Sequence, residues 1–212
     1  MKDVYAAAIE ARKATTQAEV DAAAKALENA IKALKLKAPK FVDGHGKAEV
    51  LKNDKVAAAV VDYKNMLIKI DTDITGLTVA ELKALLKLHA DNADSIDIVI
   101  GDGTLKDTDL VPNGTKVTAT AKRNGVSEVD TVTYTIIVLG DLNDGKGNGR
   151  VDIGDAVLIS QMLVGEITFT DLQILAADTN CNGRIDIGDA TIIASKLVDW
   201  ENYEALLGKA IM

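Results

Sequence analysis

Two stretches of this chain are near copies of each other. Residues 147–159 read GNGRVDIGDAVLI and residues 181–193 read CNGRIDIGDATII, 34 residues apart and identical at nine of thirteen positions. Each copy is rich in Asp and Asn, turns on a Gly and runs straight into an apolar stretch. A fold built on this pair must hold two loop–helix units of one kind. Oxygen donors repeated around a glycine turn are what a hard divalent cation requires.

The second copy has the cleaner spacing. From Asp178 to Asp189 it reads DTNCNGRIDIGD, which places oxygen-bearing side chains at positions 1, 3, 5, 9 and 12 of a calcium loop: Asp178, Asn180, Asn182, Asp186 and Asp189. Gly183 holds the turn position, and Arg184 at position 7 offers its backbone carbonyl. The usual EF-hand ends on Glu; here Asp ends the loop, one methylene shorter. In the first copy, counting back from Asp155 gives Asp152, Arg150, Gly149 and Asn148 at positions 9, 7, 6 and 5. Continuing in register would put Lys146 at position 3, and a lysine cannot ligate calcium. The reading adopted takes Asp141 and Asn143 as the first two ligands, with about three residues around 144–146 inserted and bulging outward. Two calcium ions are expected.

The helices behind the loops carry two stripes. Ala156, Ile159 and Leu163, matched by Ala190, Ile193 and Leu197, fall on one face at helical spacing, and Leu158 and Ile192 join them; these should pack the copies together. A second stripe, Val157, Ser160, Gln161 and Val164, is matched by Thr191, Ala194, Ser195 and Val198. It carries no charge, which points to a protein contact or to a face covered by the neighbouring domain.

The string GDLN…GNGRVDIGDAVLISQML followed by ADTNCNGRIDIGDATIIASKL resembles a dockerin domain, over about residues 139–200. Dockerins are duplicated calcium loop–helix modules of secreted bacterial enzymes that bind cohesin domains. The resemblance implies a cohesin partner, on a scaffoldin or another secreted enzyme, and contact through loop positions 10 and 11 and the helix face. Carried over, these are Ile153, Gly154, Val157, Ser160, Gln161 and Val164, with Ile187, Gly188, Thr191, Ala194, Ser195 and Val198. Ile-Gly in both copies departs from the Ser/Thr pairs common at positions 10 and 11 and implies a more apolar contact. The likeness of the copies permits two docking orientations related by a half-turn.

The whole chain reads as multidomain α+β: a helical hairpin over 1–38, a β-rich module with one helix over 41–138, the all-α duplicated calcium module over 139–200, and a tail helix over 201–212. In the hairpin, Thr16 and Glu19 form a capping box ahead of the stripe Val20, Ala23, Leu27, Ala30, Ile31 and Leu34, with a shorter helix from about Asp3 to Lys13 before it. TQAEVDAAAKALENAIKAL resembles the last part of a FIVAR module, and a generic spacer hairpin is the competing reading. In the middle, Thr78 and Glu81 form another capping box, opening a helix with Val79, Leu82, Leu85 and Leu86 inward. Strands are expected near 65–71, 95–100, 115–121 and 130–138. Asn113-Gly114 and other Gly pairs mark turns. The TGLTVAEL helix start, the DGT turn and the YTIIV–GD junction resemble the X modules that precede dockerins. A small antiparallel sheet with one helix, joined without a linker to the calcium module, is expected. Trp200, Tyr203, Leu206 and Leu207 have amphipathic spacing.

The sequence offers little for catalysis. His45 and His89 read as surface residues and Cys181 as an exposed bystander, so no enzyme activity is expected of these residues. With 24 basic and 32 acidic residues the net charge is −8, which argues against nucleic-acid binding. No apolar run is long enough to span a membrane, and no signal peptide is read. Extracellular location follows from the resemblance. The competing function is an EF-hand-type calcium-binding regulatory or structural module of a surface protein; Met162 is the one Met in the paired helices, against the Met-rich groove of a sensor.

Overall fold

The computed structural model describes residues 2–12, 16–32, 36–145 and 147–198. The chain divides into two compact units between residues 37 and 38.

The first unit is a pair of helices, α1 (Lys2–Ala11) and α2 (Gln17–Lys32), packed on each other. The capping box forms: Thr16 N–H donates to Glu19 Oε2 at 2.9 Å and Glu19 N–H to Thr16 Oγ1 at 3.3 Å. The stripe is shallow. Ala23, Leu27 and Ala30 are half-buried, while Val20 and Ile31 stay exposed, because two helices alone cannot enclose a wide apolar face. Leu34 and Lys13 lie outside the described residues.

The second unit begins with short strands β1 (Lys40–Phe41) and β2 (Glu49–Val50), then β3 (Val56–Asp62) and β4 (Leu67–Thr72). Helix α3 (Val79–Leu85), short strands β5 (Leu86–Lys87) and β6 (Ala90–Asp91), and strands β7 (Ser95–Ile100), β8 (Lys116–Lys122) and β9 (Asp130–Val138) follow. The main sheet has the order β3-β4-β9-β8-β7. It is mixed, not antiparallel as expected: β4 and β9 run parallel, with Leu67 opposite Thr135 and Ile70 opposite Val138. The hairpin β3–β4 and the meander β7–β8–β9 are each antiparallel. They join edge to edge, and no local turn signal records that long-range pairing. Strand β3 was not expected either. Its VAAAVVD sequence shows no alternation because its first three residues are all buried.

Helix α3 starts as its capping box dictates, with Thr78 N–H to Glu81 Oε2 at 2.8 Å. Val79, Leu82 and Leu86 are buried; Leu86 already belongs to β5. Val132, Tyr134, Ile136 and Val138 alternate into the core of the sheet module, while Ile137 on the opposite face enters a second core. That second core holds Leu139, Leu142, Val151, Ala156, Ile159, Ala176, Ala177, Ala190 and Ile193. One strand thus feeds both cores at its end, so the calcium module grows directly from the sheet.

The C-terminal part contains α4 (Ile153–Leu163), α5 (Asp171–Ala177) and α6 (Ile187–Val198). Helices α4 and α6 pack together through Ala156, Ile159, Ala190 and Ile193. Leu163 departs from the expected interior stripe and is 41% exposed; the buried residues of this contact lie in the first two turns of each helix. The short helix α5 between the repeats was not expected. The tail residues Trp200, Tyr203, Leu206 and Leu207 lie outside the described residues.

Candidate functional site

Each loop folds around two carboxylates. In the second loop, Asp178 accepts the N–H of Asn182 at 2.9 Å and of Gly183 at 3.0 Å. Asn182 Oδ1 accepts Arg184 N–H at 2.8 Å. Asp189 reaches across the loop: Oδ1 accepts Thr179 N–H at 2.9 Å and Oδ2 accepts Asp186 N–H at 2.9 Å. Asp186 Oδ1 accepts Gly188 N–H at 2.7 Å.

The first loop repeats all six bonds. Asp141 accepts Asn148 N–H at 2.8 Å and Gly149 N–H at 2.7 Å. Asn148 accepts Arg150 N–H at 2.9 Å, Asp155 accepts Leu142 N–H at 2.8 Å and Asp152 N–H at 2.7 Å, and Asp152 accepts Gly154 N–H at 2.7 Å. The correspondence holds with Asp141 in the role of Asp178, in the alignment that sets residues 144–146 apart as an insertion. Residues 143–145 form a 3₁₀ turn, and a Cβ on Gly145 would meet nothing within 4 Å. Thr170 Oγ1 pins this turn by donating to Gly145 O at 2.9 Å.

The same residues start the helices. Asp152 is the N-cap of α4 and Asp155 its N3 residue, a reciprocal capping box. Asp186 and Asp189 make the equivalent bonds at α6. This explains Asp at the twelfth loop position: a short carboxylate can hold both the start of the loop and the helix cap. It also bears on Gly154 and Gly188. A Cβ at these positions would lie 2.9 Å and 2.8 Å from the capping oxygens of Asp152 and Asp186, so a small residue keeps the cap clear.

The electrostatics favour a cation. Asp141, Asp155 and Asp189 are fully buried and Asp178 nearly so. Burial pushes the Asp141 carboxyl up to about 7, with the charges of Asp155 and Asp152 adding to the rise and the two N–H donors opposing it. Burial likewise pushes Asp155 up to about 6, helped by Asp152. Buried carboxylates facing each other lack a counter-charge, and the donors are oxygens throughout, so the set fits calcium and not a soft metal. Asn143, Asn180 and the carbonyls of Arg150 and Arg184 stand at the remaining loop positions. Among the described residues no group of three or more His, Cys, Asp and Glu side chains gathers as a metal cluster; the carboxylates are turned onto backbone N–H groups.

Beside the loops, α4 and α6 enclose an open groove of about 530 Å³, lined from both copies by Ile153, Val157, Ser160, Gln161, Val164, Ile187, Thr191 and Ala194, with Glu166 the one charged residue on it. Gly154, Gly188, Ser195 and Val198 do not line it. Ile153 and Ile187, the first residues of the two helices, are 62% and 66% exposed, and Val164 and Val198 are 72% and 87% exposed. The uncharged stripe is therefore open, not covered by the sheet module. Ser160 and Thr191 turn their hydroxyls back to the carbonyls of Ala156 and Ile187, which makes the face more apolar than its sequence reads.

Residues 139–198 match the family model of the dockerin type I domain. This segment is a dockerin. No curated protein and no solved structure matches the chain. A dockerin is a non-catalytic module of calcium-dependent, cohesin-binding assembly, found in secreted proteins. Among the described residues no helix is long and apolar enough to cross a membrane.

Sequence reasoning missed the residues that seat the dockerin. Gln173 in α5 is buried and donates to Leu142 O at 2.9 Å. Its helix was announced by Thr170-x-x-Gln173, a capping box that does form. Asn113 was read as a turn residue; it is that, but its buried side chain also bridges the two parts. Cys181 is not an exposed bystander: it is half-buried against the second core, and burial raises its thiol pKa. His45 is stacked on Tyr63 at 3.9 Å between ring centroids.

Proposed function

We propose that this chain is a calcium-dependent docking element whose dockerin binds a cohesin and tethers a secreted, carbohydrate-active enzyme to a larger assembly. In this reading two calcium ions are held, one by Asp141, Asn143, Asn148, Asp152, Asp155 and the Arg150 carbonyl. The other is held by Asp178, Asn180, Asn182, Asp186, Asp189 and the Arg184 carbonyl. When bound, calcium supplies the counter-charge that the buried carboxylates lack. The chain's own residues hold the loops closed onto the helix starts and so set the spacing of Ile153 and Ile187. The observation that carries the reading is the uncovered groove, to which both copies contribute matching exposed residues. A largely apolar, two-sided face next to paired acidic loops is what a metal-dependent protein contact needs. Residues 41–138 serve in this reading as an X module that supports the dockerin, and the N-terminal hairpin as a FIVAR-like spacer.

The test is calorimetric titration of cohesin domains into the chain, in calcium and in excess EDTA. Tight binding is expected in calcium alone. Ile153→Asp together with Ile187→Asp should abolish it, since each puts a charge at the centre of an apolar contact. Either change alone should leave most of the affinity if the half-turn orientation is used. Binding that persists in EDTA, or in the double variant, overturns the proposal. Chelation should also lower the melting temperature, because a ligand at 100 times its dissociation constant adds about 2.7 kcal/mol per site.

A further inference from the structure

The two loops are alike in sequence, but their surroundings are not. The turn glycine of the first loop, Gly149, is buried: a Cβ there would lie 2.7 Å from Leu110 Cβ and 3.3 Å from Val111 O. From the other side, a Cβ on Gly76 would lie 1.8 Å from Gly149 O. Gly76 and Gly149 both have positive φ, 75° and 82°, so neither position tolerates a side chain easily. Asn113, 3% exposed, completes the clasp. Its Oδ1 accepts Val138 N–H at the end of β9, and its Nδ2 donates to Asp141 O, the first residue of the loop. The second loop has no counterpart. A Cβ on Gly183 would meet nothing within 4 Å, and Asn182 and Arg184 are exposed. It is tied to the rest through Cys181, half-buried against the second core beside Lys69 and Asp71 of β4, and through α6, where Lys196 pairs with Asp71.

We infer that the sheet module is a positioning device for the first calcium loop, with Asn113, Gly76 and Leu110 as its working parts, and that it makes the first loop the tighter site. This rests on the calcium reading above. A loop already fixed at Asp141 and Gly149 has less conformational freedom to lose when it closes on an ion. The exposed turn of the second loop at Asn182–Arg184 is held by the loop's own hydrogen bonds, with no packing against Gly183, and so has more freedom to lose. The three extra residues in the first loop act in the opposite direction, but closure entropy grows slowly with length and Thr170 already holds the insertion at Gly145. So the longer, less regular loop should load first, against the order that its sequence spacing implies.

Calcium titration of the whole chain by calorimetry tests this, after chelator treatment and exchange into metal-free buffer. The unaltered chain should titrate in two steps. The tighter step should survive Asp178→Ala and vanish in Asp141→Ala. Asn113→Ala should weaken the tighter step by on the order of tenfold, the size of one lost buried hydrogen-bond bridge, and leave the weaker step within about twofold. Leu110→Ala, which trims the clasp without touching a hydrogen bond, should act in the same direction. Two equal steps, a tight step that vanishes in Asp178→Ala, or equal weakening of both steps in both clasp variants would overturn the inference while leaving calcium binding intact. Absence of any calcium heat in the unaltered chain would remove the calcium reading itself, and this inference with it.

Discussion

At the scale of single residues, Tyr134 shows how the sheet core is tied to the strands that cover it. Its ring is fully buried and its hydroxyl donates to His45 O at 2.6 Å. Burial, with the neighbouring Tyr63 adding to it, pushes the phenol up to about 12 from the usual 10. A raised acid pKa means that the folded chain holds the proton more firmly than the unfolded chain does. The stability it contributes is therefore complete below pH 10 and is lost as pH climbs from about 10 to about 12. Tyr134→Phe should cost about 1–3 kcal/mol at neutral pH, because it leaves the His45 carbonyl without its donor. It should also flatten the alkaline loss of stability. Urea unfolding at pH 8 and pH 11 checks both; a variant that loses stability between those values as steeply as the parent would show that another group titrates.

At the scale of elements, Thr170 joins two of them, α5 and the 3₁₀ turn of the first loop. It caps α5, takes part in the capping box with Gln173, and holds the first-loop insertion through Gly145 O. Thr170→Ala removes the cap and the pin together. The expected cost is about 1 kcal/mol for the cap, read as a fall of roughly 2–4 °C in melting temperature for a unit of this size. A fall larger in metal-free buffer than in calcium would show the pin acting on the first loop; no fall at all would show that neither bond matters. This element also marks what the sequence made legible. Features encoded over a few residues could be read: the capping boxes at Thr16 and Thr78, the glycine turns and the 3.6-residue stripe from Val157 to Val164; the box at Asp152 is as local and was read only as part of the loop. The Thr170 box is equally local and went unread because LQILAA is too short to show periodicity. Strand β3 was hidden because a run whose first three residues are all buried has no alternation. The clasp at Asn113 and the parallel pairing of β4 with β9 join residues far apart in the chain, and single-sequence patterns carry no such record.

At the scale of the whole second unit, the dockerin is anchored to the sheet at one more point, the Lys196–Asp71 pair. Both side chains are 1% exposed, and they join the last turns of α6 to the last residues of β4. Attraction between two charges withdrawn from water is largely offset by the cost of withdrawing them. The pair therefore should add little net stability, yet losing one member should be severe. Lys196→Met leaves a buried carboxylate without its cation and is expected to cost about 3–5 kcal/mol in calcium-saturated protein, by urea unfolding. Asp71→Leu combined with Lys196→Met should recover most of that loss, since an apolar pair of similar volume can replace a buried ion pair at near-neutral cost. Cohesin affinity in the double variant should stay close to that of the parent, because the groove of Ile153 and Ile187 does not include either residue. A double variant no more stable than Lys196→Met would mean that Asp71 and Lys196 act through separate partners. One that is stable but no longer binds cohesin would mean that the ion pair sets how the two helices present their face, so that the sheet, and not calcium alone, shapes the docking surface.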